Sequence, residues 1–150
     1  LDSCRMEKKF VHYGHDVAET DTPLECGMGF VCDLNKSEHF IGRDAILKQK
    51  ESGAFMKKRL VQFLLEDPEA MLYSHEPILR DGKIVGHLTS GNYGHTLGGS
   101  VGLGYIEVED DITKDYLESG KIEIDVAGVP VAAKASLVAQ YDPKAVRMRG

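Results

Sequence analysis

Tryptophan is absent, proline is scarce at five residues in 150, and basic residues are outnumbered by acidic ones, 18 to 24. The net charge of −6 argues against a protein that grips a phosphate backbone, so nucleic acid is not an expected partner. No apolar run approaches the ~20 residues that a membrane helix needs, so no membrane partner is expected either. The opening LDSCRMEKKF lacks the apolar stretch of a secretory signal. Cysteines are few and oddly numbered. Cys4, Cys26 and Cys32 show no C-x-x-C spacing, which points to free thiols in a reducing compartment rather than a disulfide framework or zinc knuckle. The Asn35-Lys36-Ser37 sequon carries no weight in such a compartment. What is present, 42% hydrophobic residues and 16 glycines, suffices for one folded domain or a domain with part of another. The chain starts at Leu1 rather than Met, and it reads as the C-terminal part of something longer.

Periodicity divides the chain near residue 55. Residues 1–36 read as short extended pieces, with a break at Thr22-Pro23 and a buried strand over Met28–Leu34. A helix is expected over 42–52, capped by Ser37 ahead of it and stopped by Gly53. Beyond residue 56, strands are expected at 58–65, 77–80, 83–88, 101–108, 121–126 and 131–137. Asp81-Gly82 forms a tight hairpin turn, and Thr113–Ser119 a short helix or turn. The tail from 142 carries Lys144, Arg147 and Arg149 and is expected to fray. The fold class is therefore mainly β with an α+β N-terminal segment. Residues 1–55 read as the end of an α+β domain, and 56–150 as a domain of six or so short strands, a small sandwich or barrel.

No motif completes a catalytic set. Gly98-Gly99-Ser100-Val101-Gly102 has the letters of a nucleophile elbow, but strand-like residues follow where that elbow needs a helix. His12-Tyr13-Gly14-His15-Asp16 lacks convergent partners for a metal, and no metal site is expected. Arg5 and Glu7, two apart on an extended segment, would share a face and pair. Lys57-Lys58-Arg59 reads as a solvated strand edge, and Thr89–Tyr93 as a loop.

The ordered words are more specific. Arg5-Met6-Glu7, Tyr13-Gly14-His15-Asp16, Thr22-Pro23-Leu24-Glu25-Cys26-Gly27-Met28-Gly29, Phe40–Leu47, Gly86–Gly91 and Val101–Ile106 together resemble the glycine-cleavage T-protein (aminomethyltransferase) family. The likeness is to its C-terminal part, nearest the folate-binding region of FAD-dependent sarcosine and dimethylglycine dehydrogenases. The resemblance implies a Greek-key or jelly-roll-like C-terminal barrel. It also implies tetrahydrofolate as cofactor, FAD in a preceding domain, and one-carbon transfer from a methylamine. It places the family's catalytic Asp upstream of this chain. Where T-proteins have a folate-contacting Arg before Asp-Ser/Thr, this sequence has Leu1, as the dehydrogenase branch has an apolar residue there. Arg5, Glu7, Tyr13, Asp16 and Arg59 are then expected to support a folate site, with Thr89, Ser90 and Tyr93 on its rim.

The leading reading is thus the tetrahydrofolate-side module of an N-demethylating dehydrogenase. The alternatives are a non-catalytic barrel that packs on and shapes the folate domain, or a stand-alone aminomethyltransferase acting on a lipoyl carrier. Expected partners are folate and the upstream domain, in bacterial cytosol or mitochondrial matrix. An apolar flank over 24–34 is expected to be exposed without that domain, so the chain can self-associate.

Overall fold

A computed structural model describes all of residues 1–150. Six antiparallel strands close into a barrel in the order β1-β4-β3-β2-β5-β6. They are β1 (Lys58–Leu65), β2 (Pro77–Arg80), β3 (Lys83–Gly94), β4 (Gly99–Glu107), β5 (Ile122–Val126) and β6 (Val129–Ser136). Strands β2, β3 and β4 follow one another by hairpins while β1 returns beside β4, which is a Greek-key arrangement. Closure leaves no unpaired edge. Alternation along β1 explains its place: Val61, Phe63 and Leu65 point into a twelve-residue core with Ile78, Leu88, Ile106 and Ile124. Leu60 points the other way, into a second cluster with Met6, Cys26, Val101 and Leu103.

Both two-residue hairpin turns place two consecutive residues at positive φ. Asp81 and Gly82 stand at 51° and 79°, and Ala127 and Gly128 at 53° and 87°. That geometry matches the twist of the flanking strands. Pro130, expected in the second turn, is already in β6 opposite Asp125. Helix α3 (Lys114–Ser119) is capped by Thr113, whose hydroxyl accepts from the Tyr116 N–H. Ser100 is fully buried in β4, and its Oγ donates to the Ala70 carbonyl at 2.7 Å. The glycine-serine run is therefore strand interior and not an exposed nucleophile.

The N-terminal third departs from its extended reading. Residues 2–7 form helix α1 (Asp2–Glu7), so Arg5 and Glu7 diverge around the helix instead of pairing on one strand face. Met28–Leu34 is not a buried strand. Gly27 at φ 75° turns the chain into a 3₁₀ turn at Gly29–Val31, leaving Phe30 85% exposed. Helix α2 (Arg43–Ser52) ends at Gly53 as expected, but it begins after Gly42 at φ 90° and not after a Ser37 cap. Strand β3 also runs six residues past its expected end and absorbs Thr89–Tyr93. The tail carries a final turn, α4 (Val146–Arg149).

Candidate functional site

A polar cavity of about 250 Å³ opens where α1 and the following loop meet β3, and it is lined by Arg5, His12, His15, Tyr73, Ser90 and Asn92 among others. Its floor is a buried ion pair. Arg5 Nη1 donates to Asp16 Oδ2 at 2.7 Å, with the Asp16 side chain fully shielded from solvent. A buried carboxylate is tolerable only when its lone pairs are met, and here they are. The His12 N–H also reaches Oδ2 at 2.9 Å, and Thr89 Oγ1 donates to Oδ1 at 2.7 Å.

Thr89 reaches Asp16 because the β3–β4 register shifts between Leu88 and Ser90. A bulge of this kind re-aims a side chain out of the regular alternation. Arg5 is held on further sides. Its Nε donates to Asp2 Oδ1 at 2.9 Å, its Nη1 also to the Phe10 carbonyl at 3.3 Å, and its Nη2 to Ser90 Oγ at 3.2 Å. A guanidinium has five N–H donors, so one Nη2 N–H remains without a protein acceptor. The rings of His12 and His15 stack beside it, centroids 5.4 Å apart. No group of three His, Cys, Asp or Glu residues is placed to hold a metal ion. The cavity lining mixes the Arg5 guanidinium, the Asp2 carboxylate paired with it, and hydroxyl, amide and imidazole groups, and the remaining Arg5 N–H is its one charged donor without a protein acceptor.

The sequence-predicted residues divide. Arg5, Asp16, Thr89 and Ser90 meet at the cavity. Glu7 is buried elsewhere as a staple, its Oε1 accepting the Thr96 and Leu97 N–H groups at 2.6 and 2.9 Å. Tyr13 is 70% exposed and faces an apolar groove with Pro23, Met28 and Val31. Tyr93 packs edge-on against His95, and its carbonyl accepts from Ser3 Oγ at 2.6 Å. Arg59 stands apart over the Phe55 ring, its Nε buried without a partner and its pKa lowered by that burial. Sequence reasoning weighed His12 and His15 only as metal ligands and set them aside. Their H-x-x-H spacing beside Asp16 was the available signal. Asn92 lay in the Thr89–Tyr93 stretch, whose gathered hydroxyls, amide and ring were its signal, and Tyr73 carried none.

Residues 58–142 match the glycine cleavage T-protein C-terminal barrel domain. A 4-methylaminobutanoate oxidase (formaldehyde-forming) of Paenarthrobacter nicotinovorans is 39% identical over 150 residues, covering all of this chain and 17% of the relative. The mitochondrial sarcosine dehydrogenase of Mus musculus is 32% identical over 152 residues, covering all of this chain and 16% of the relative. The chain thus spans about a sixth of the length of these relatives. A glycine cleavage system aminomethyltransferase T from Bartonella henselae shares the fold, with a TM-score of 0.71 at 20% identity over 88% of this chain and 35% of that one.

Proposed function

The chain belongs to the glycine cleavage T-protein family through its C-terminal barrel, and from that premise we propose that it is the tetrahydrofolate-side module of an FAD-dependent N-demethylating dehydrogenase. Residues 1–55 close the folate domain and 56–150 form the barrel domain. The catalytic carboxylate lies upstream, so this chain binds and orients and does not perform the transfer. FAD, when bound in the preceding domain, supplies the oxidation of the N-methyl group, and no residue here is assigned to it. The compartment of such an enzyme is bacterial cytosol or mitochondrial matrix. The relatives include a bacterial and a mitochondrial protein, and no helix here is long and apolar enough to cross a membrane.

The observation that carries this reading is the cavity at the seam between α1 and β3. Tetrahydrofolate needs a flat slot for its pterin and cations for its glutamate tail. The cavity, at about 250 Å³, is smaller than most small-molecule sites, which begin near ~300 Å³. Asp16, the buried carboxylate behind it, is already engaged by three donors, and the lining carboxylate of Asp2 is paired with Arg5. The residues fit the tail and not the pterin. The free N–H of Arg5, with His12, His15 and Asn92 around it, would hold a tail carboxylate. Asp16 and Thr89 keep the guanidinium in place.

Calorimetric titration of the chain with 5-formyltetrahydrofolate and with p-aminobenzoyl-glutamate tests this. The expected result is weak binding of similar affinity for both, abolished by Arg5→Lys. Tight binding of the whole folate with none of the tail fragment would overturn it.

The exposed face of the N-terminal segment favours a compatible second reading, a barrel module that packs on and shapes the folate domain. Phe30, Tyr13 and Val31 stand open to solvent, on the flank expected to meet a neighbouring domain.

A further inference from the structure

Lys8 and Lys9 are adjacent in sequence and opposite in circumstance. Lys8 Nζ donates to the Asp142 carbonyl at 2.5 Å and lies 3.3 Å from its carboxylate, in a pair nearly closed to solvent. Lys9 Nζ makes no hydrogen bond and no ion pair. Its backbone, at φ 55°, turns the side chain into an open apolar groove of about 620 Å³ lined by Phe10, Val11, Cys26, Met28, Phe30 and Val138. Gly27, at φ 75°, passes close to the amine. A Cβ at that position would sit 3.6 Å from Nζ.

The ionisable groups around Lys9 do not hold its charge. Lys8, beside it in the chain, is committed to Asp142. Arg59 from β1 adds positive charge, and from the 22–28 turn comes only the Cys26 thiol, itself kept protonated by burial. An ammonium with apolar walls, no acceptor and a cationic neighbour is disfavoured against the free amine. Burial and then Arg59 accordingly bring its pKa down to about 8. A desolvated lysine of this kind is the usual nucleophile toward carbonyl groups.

We propose that Lys9 is a covalent capture site for aliphatic aldehydes, whose apolar body lies in the groove. The Nζ lone pair attacks the carbonyl carbon, a C–N bond forms, and the π pair moves to oxygen, which takes the proton the nitrogen sheds. The carbinolamine then loses water to give an imine. The two steps form C=N, break C–O and release one water, with no oxidant or reductant.

The test uses the 150-residue chain, hexanal as probe and cyanoborohydride to trap imines, with adducts assigned by peptide mass spectrometry. At pH 7 Lys9 should be trapped ~30-fold or more faster than Lys144 or Lys83, because far more of it is unprotonated. Its rate should rise to a plateau above pH 8, and Lys9→Arg should remove this adduct alone. Glyoxylate, an aldehyde with a charged body, should react several-fold more slowly than hexanal at Lys9. Trapping of Lys9 no faster than Lys144 overturns the site. Equal rates for hexanal and glyoxylate overturn the assignment to apolar aldehydes. Because the trapping is read on the unaltered chain, neither outcome depends on a variant folding.

Discussion

The barrel and the N-terminal arm are built on different terms. The barrel owns a twelve-residue apolar core and a complete ring of strand pairs. The arm, residues 1–55, contributes only four of the 27 buried residues, Met6, Glu7, Asp16 and Cys26, and two of those are charged. It has no core of its own. It is held by polar staples: Gln62, fully buried in β1, donates to the Met6 and Glu7 carbonyls at 2.6 and 3.1 Å, and Glu7 grips the loop after β3. Apolar burial is tolerant of direction, whereas buried hydrogen bonds fail when one partner moves. The barrel is therefore the stable body, and the arm's position on it is specified by a few directional contacts. The candidate site lies on the seam between them and inherits the arm's dependence.

Three changes probe that contrast. Phe63→Ala, which empties the centre of the barrel core, should cost about 4 kcal/mol and lower the whole chain's unfolding midpoint in urea. Loss confined to the arm would break the comparison. Asp16→Ala leaves Arg5 with only the exposed Asp2 as counter-charge and takes the acceptor from the His12 N–H and the Thr89 hydroxyl, and should cost about 3 kcal/mol. Hydrogen exchange should locate that loss at His12 and its neighbours, with the amides of β1 and β4 still protected.

The effect smallest at any single step is a pH dependence. Lys9 titrates at about 8 in the folded chain and at its ordinary 10.5 when unfolded, so between these values the unfolded state binds the extra proton. Stability should therefore rise from pH 8 to 10.5, by at most about 1.4 kcal/mol per pH unit, and be lower and level in this respect below 8. Lys9→Met should flatten that slope in urea titrations at several pH values.

The same contrast explains what could be read from the sequence. Barrel strands announced themselves, since Lys121–Val126 alternates and Asp81-Gly82 can take only a few turn shapes. The family resemblance then closed them into a barrel. In the arm, local pattern misled. MGFVCDL has the composition of a buried strand, but with Gly27 just before it, Gly29 in it and no strand to pair with, it turned into a 3₁₀ segment with Phe30 outward. DSCRME carries no apolar periodicity, and its helix is fixed by Met6 packing under Leu60 and by Gln62 holding its last carbonyls. Of the site, Arg5, Asp16, Thr89 and Ser90 were nameable from the family words. Their junction was not, because it depends on contacts spanning 73 and 85 residues and on a register shift that no local pattern encodes.

That register shift also says which residue the strand could do without. On one side of it Leu88 faces Gly104, and on the other Ser90 faces Leu103, so Thr89 is supernumerary to the ladder. Deleting Thr89 would leave every remaining partnership of β3 and β4 as it stands. The barrel would close with one residue fewer, and the hydroxyl on Asp16 would be what disappears. In the length of the chain, then, a single residue has been set aside for the seam, and a homologue one residue shorter at this point would keep the architecture while giving up the anchor.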